Sequence, residues 1–169
     1  MILNTFIKSI FRSRICKKLK CHIEIMNWFH FKGYKHLAKY YERKIIYKYG
    51  CHIMPGVVLD SSTHLPHIVG IVIGRGVIIG KNVSILQNVT LGSSIGENLR
   101  GSDKTMPTIE DNVKIFSGAV VSGKITIGRN SFIGANATVT KNIPPNSLVV
   151  GFNIIKPLPE KFKNKNENL

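Results

Sequence analysis

Residues 109–144, IEDNVKIFSGAVVSGKITIGRNSFIGANATVTKNIP, carry two interlocked periods of six. Ile109, Ile115, Val121, Ile127, Ile133 and Val139 stand six apart without slippage. Three positions after each come Asn112, Gly118, Lys124, Asn130, Asn136 and Asn142, all but one of them residue types that take positive φ easily. One position further lie Val113, Ala119, Ile125, Ser131, Ala137 and Ile143, mostly small or β-branched. A helix repeats every 3.6 residues or so and a lone strand every two or so, and a sustained six fits neither. Repeats of this length mark a parallel β-helix. Each hexapeptide is then a short strand with one inward side chain, followed by a corner, and three hexapeptides close one triangular coil.

The same pattern extends upstream. Ile73, Ile79, Ile85 and Leu91 step by six, with Gly76, Asn82 and Asn88 at the corners and Val77, Val83 and Val89 after them. The reading predicts about four to five coils between residues 53 and 144. Two breaks interrupt it. Leu65 and Ile73 are eight apart, which places two extra residues near His67. Gly92–Thr108 is rich in Gly, Ser, Asn and charged residues and carries no repeat, so it reads as an extruded loop over 92–108, of the kind that usually serves function.

The front end follows a different rule. Ile2, Leu3, Phe6, Ile7, Ile10, Phe11, Ile15 and Leu19 line one face of a helix over residues 2–20, with lysines and arginines between them. Residues 34–49 predict a second helix ending at Gly50. Residues 1–50 hold 12 Lys and Arg against Glu24 and Glu42, while the whole chain has a formal net charge of +15. A basic amphipathic start of this kind packs on its own protein or a neighbouring subunit, or lies against an anionic membrane through residues 1–20. Nucleic acid is not among the expected partners. Cys16, Cys21 and Cys51 suit neither a disulfide framework nor a zinc knuckle, and no apolar run is long enough to cross a bilayer as a helix. Without the marks of a signal peptide, the expected location is the cytoplasm. The expected organisation is a basic helical segment (1–50), a β-helix domain (51–155) and a polar tail (156–169).

Residues 65–92, LPHIVGIVIGRGVIIGKNVSILQNVTLG, resemble serine acetyltransferases and their close relatives that acetylate sugars. The likeness runs from about Ile53 to Gly151. It implies a left-handed coil, acetyl-CoA as co-substrate, a homotrimer and His67 in the place of the catalytic histidine. The chemistry suits that residue type: a neutral imidazole accepts an alcohol proton near neutral pH, so the oxygen attacks the thioester directly. IGANATVTKNIPPNS resembles the galactoside-type acetyltransferases, and the likeness implies Ser117, Ala135, Thr140 and Lys141 as the acetyl-CoA site. Lys141 would meet a CoA phosphate as a point charge.

Several positions depart from the serine acetyltransferase pattern. Pro66 stands where that family has Asp, and Thr105-Met106-Pro107 where it has Arg-His-Pro, so Pro66 and Met106 mark changed acceptor positions. The acidic partner expected fifteen residues before the base is His52, with Asp60 or Asp103 as possible substitutes. The AGxPA pattern that closes the family's repeats survives only as Val150-Gly151-Phe152-Asn153-Ile154. These departures point to a sugar or cell-surface polysaccharide as acceptor, with serine O-acetyltransferase as the alternative. A zinc lyase on the same coil would need imidazoles on separated coils, whereas His22, His30, His36, His52, His64 and His67 all precede residue 68; no metal is expected. A non-catalytic scaffold is the remaining class.

Overall fold

A computed structural model describes residues 4–5, 15–94 and 105–151. Among residues 15–94 and 105–151, two helices, α1 (Ile15–Phe31) and α2 (Lys35–Tyr49), precede thirteen strands of two or three residues each. These are β1 (His52–Ile53), β2 (Val58–Leu59), β3 (Val72–Ile73), β4 (Ile78–Ile79), β5 (Ser84–Ile85), β6 (Thr90–Gly92) and β7 (Thr108–Ile109). Then come β8 (Lys114–Ile115), β9 (Val120–Ser122), β10 (Thr126–Ile127), β11 (Phe132–Ile133), β12 (Thr138–Val139) and β13 (Leu148–Val149). They stack into three all-parallel sheets, ordered β1-β3-β6-β9-β12, β2-β4-β7-β10 and β5-β8-β11-β13. The architecture is a left-handed β-helix with a short helical N-terminal part.

Register confirms the period. Ile73 pairs with Leu91, and Ile115 with Ile133, each partner 18 residues on. Ile53 pairs with Ile73 and Leu59 with Ile79, so the first coil takes 20 residues and holds the extra pair near His67. Ile79 pairs with Ile109 and Leu91 with Val121, 30 residues on. The interruption after Gly92 is therefore an insertion at one corner. Within it, residues 95–104 lie outside the described residues.

Strands this short have no stability alone. Their inward residues make the core: Ile73, Ile85, Leu91, Ile109, Ile115, Val121, Ile127 and Ile133 are fully buried, as are Val77, Val83, Val89, Val113, Ala119 and Ala137. Each large apolar side chain so buried contributes about 1.5–3 kcal/mol. The corners follow the Gly/Asn rule with two exceptions. Positive φ occurs at Gly76, Asn82, Asn88, Asn112, Gly118, Asn130 and Asn136, but Gly123 takes it instead of Lys124. Asn142 is not among the positive-φ residues; its side chain accepts a hydrogen bond from the Thr126 N–H, and Asn146 takes the left-handed conformation four residues later. Along one edge the asparagine amides stack as a ladder: Asn82 donates to Asn112, Asn112 to Asn130 and Asn130 to Asn146.

The helices close the first coil. α1 continues to Phe31, well beyond the end predicted near residue 20, because Ile23, Ile25 and Met26 extend its buried face. Most of the predicted amphipathic face over residues 2–20, including the whole of 6–14, and the tail from residue 156 lie outside the described residues. α2 ends as predicted at Gly50, whose left-handed φ of 63° lets its N–H cap the Ile46 carbonyl. Between the helices, His22 is buried with Nδ1 2.7 Å from the Tyr49 hydroxyl. Burial, then the nearby Lys44 and Lys48, pulls its pKa down from 6.5 to about 4. Among the described residues no helix is long and apolar enough to cross a membrane.

Candidate active site

His67 stands in the lengthened first coil. Its neighbours Leu65 and Ile68 are buried while Pro66 and His67 are exposed, so the two extra residues push the imidazole outward. Both flanks are tied down. His64 donates its N–H to the Val83 carbonyl (2.7 Å) and accepts from the Ile85 N–H (2.9 Å), while Gly70 donates to the Gly50 carbonyl (2.7 Å). Gly70 has φ +72°, and a Cβ there would collide with the Asn88 side chain. The ring is thus carried on a pinned bulge.

Below that bulge runs one edge of the prism, marked by a backbone ladder. Asn88 N–H bonds the Val69 carbonyl, Gly118 N–H the Gln87 carbonyl and Asn136 N–H the Ser117 carbonyl, at 3.0, 3.1 and 2.9 Å. Ser117 and Ala135 lie one coil apart on this edge, Ser117 half-buried and Ala135 exposed. Gln87 Oε1, on the same edge, is buried and without a hydrogen-bond donor among the described residues. Thr140 and Lys141 are exposed too, but they follow β12 and occupy the next edge, across the first sheet. The structure therefore brings Ser117 and Ala135 under His67 and sets Thr140 and Lys141 apart from them.

His52, on β1, presents its ring to α2: Nε2 lies 2.9 Å from Glu42 Oε1. The Glu42 side chain is largely covered and that of His52 partly so, which makes this a better sheltered pair than a surface contact. Sequence reasoning missed Glu42. It is one of only two acids in the first fifty residues, but its partner lies on a different element, which spacing alone does not reveal. Asp60 is spent elsewhere: its carboxylate accepts the N–H and hydroxyl of Ser62, which hold its pKa below the ordinary value. Asp103 lies outside the described residues.

Met106 is buried, its sulfur and methyl packed where a Cβ on Gly74 would sit. Pro66 lines a cleft of about 350 Å³ with Thr63, His64 and, from α1, Cys16 and Lys17. No disulfide joins Cys16, Cys21 and Cys51.

Residues 106–141 match the family described as bacterial transferase hexapeptide (six repeats). The chain shares this repeat with the hexapeptide-repeat transferases. Among curated members, it is 39% identical over 136 residues to serine acetyltransferase of Buchnera aphidicola (subsp. Schizaphis graminum), covering 79% of this chain and 49% of that one. It is 40% identical over 102 residues to serine acetyltransferase of Mycobacterium tuberculosis, covering 60% and 43%. The chain thus spans less than half the length of these relatives. Among solved members, Neisseria gonorrhoeae serine acetyltransferase in complex with serine overlays with a TM-score of 0.74 at 30% identity, over 90% of this chain and 66% of that one. Serine acetyltransferase isoform 3 of Entamoeba histolytica in complex with cysteine overlays at 0.77 and 28% identity, over 93% and 58%.

These relatives correct the expectation of a sugar or polysaccharide acceptor: they are serine acetyltransferases, and one was solved holding serine. The expectation leaned on the altered residues 66 and 106. Met106 packs over Gly74 at a corner.

Proposed function

We propose that this chain transfers the acetyl group of acetyl-CoA to the hydroxyl of serine, with His67 as general base. The observation that carries the reading is the pinned outward bulge at His67, standing over the Ser117 and Ala135 edge in a chain akin to serine acetyltransferases. His67 takes the hydroxyl proton as the serine oxygen bonds to the thioester carbonyl carbon. The tetrahedral intermediate then expels CoA sulfur, and the imidazolium returns the proton to the thiolate. No covalent acyl-enzyme is required.

Small side chains at 117 and 135 leave room for the pantetheine arm along the edge, and Thr140 and Lys141 serve the CoA from a neighbouring copy. That division between two edges fits a trimer in which adjacent coils share each site. Glu42 supplies, through His52, the negative charge that the family's acidic partner would otherwise provide. The working compartment is the cytoplasm, where acetyl-CoA is available. The test is release of free thiol from acetyl-CoA in the presence of serine. Turnover that requires serine supports the reading, and absence of serine-dependent thiol release overturns it.

A further inference from the structure

A groove of about 440 Å³ lies between the start of α2 and the corner after β3, away from the His67 bulge. Lys35 and Lys39 line it from α2, Arg75 from the corner and His30 from the end of α1. The single carboxylate in its wall, Glu42, is engaged by His52 at 2.9 Å. Arg75 Nε is buried and has no hydrogen-bond acceptor among the described residues, a costly arrangement for a charged group unless an acceptor arrives. We infer that this groove is a binding site for a small molecule bearing a carboxylate or phosphate.

The wall is built rather than incidental. Asn27 of α1 accepts the Gly56 N–H (2.9 Å) and donates to the Val57 carbonyl (2.7 Å), fixing the helix against the corner. Gly56 has φ +96°, and a Cβ there would press on Arg75 Cγ at 3.0 Å and His30 Nε2 at 3.2 Å. Only glycine lets the Arg75 and His30 side chains close over the corner. The groove also meets the N-terminus of α2, where Tyr34 makes no side-chain cap and the first turn holds no acid. The helix dipole there adds to the attraction for an anion. Extended chain over residues 71–74, roughly 10 Å, separates this corner from the His67 bulge, so within one chain a molecule of serine's size cannot span both.

The test is ¹⁵N NMR of the full chain, following the Arg75 Nε–H and the backbone amides of Lys35 and Lys39. Inorganic phosphate and malonate are titrated separately, with chloride holding ionic strength constant. Saturable shifts at these groups with either anion are expected, and the stronger anion tells a phosphate from a carboxylate ligand. Arg75→Gln, and independently the exposed Lys39→Gln, should weaken the binding at least tenfold, with Arg75→Lys in between. Shifts that never saturate, that chloride reproduces, or that persist in both glutamine variants would overturn the site. The readout does not involve acetyl transfer, so it stands or falls apart from that activity.

Discussion

Two histidines on the first coil and its helices show how placement alone assigns different work to one residue type. His67 is exposed on a bulge, while His22 is buried against Tyr49 between Lys44 and Lys48. Because the folded pKa of His22, about 4, is below 6.5, its contribution to stability is fully present above about pH 6.5 and is lost as pH falls toward 4. The loss amounts to about 3 kcal/mol at most. His22→Phe should flatten the fall in urea midpoint between pH 7 and 4.5, and an unchanged slope would contradict the assignment. The proposed action of Glu42 through His52 predicts that Glu42→Gln lowers kcat about tenfold, leaves KM for acetyl-CoA near its original value and displaces the alkaline-to-acid pH profile. A change in KM alone would make Glu42 a structural residue only.

At the scale of elements, the coil depends on what each corner and inward position permits. Asn130 combines a φ of 58° with two amide bonds in the ladder, to Asn112 and Asn146. Asn130→Ala should cost about 1–3 kcal/mol in urea unfolding, since it loses both bonds and strains the left-handed turn. Asn130→Gly keeps the turn and should cost less. The six-residue period made most of this legible in the sequence, because burial and positive φ each recur at fixed offsets. Lys124 and Asn142 broke the rule for local reasons: β9 runs one residue longer, so Gly123 makes the turn, and Asn142 uses its side chain instead of its backbone. The continuation of α1 to Phe31 was hidden because His22 and Cys21, polar or ambiguous in sequence, are buried there. Glu42 was hidden for another reason: its partner belongs to a different element, and helix-to-coil docking leaves no periodic trace.

For the whole molecule, the candidate CoA residues of an 18.9 kDa chain fall on two edges of the prism, and the proposed site is shared between copies. Sedimentation should find a trimer at assay concentrations; a fully active monomer would contradict the shared site. The acceptor was the least legible feature, because the departures at residues 66 and 106 pointed to a sugar, whereas the relatives are serine acetyltransferases. The most direct test of the central claim compares wild type with His67→Ala in serine-dependent thiol release from acetyl-CoA. The account predicts rapid turnover in the wild type and a loss of about 10²–10⁴ in kcat for the variant, with the fold intact. A variant that turns serine over at the wild-type rate would contradict it.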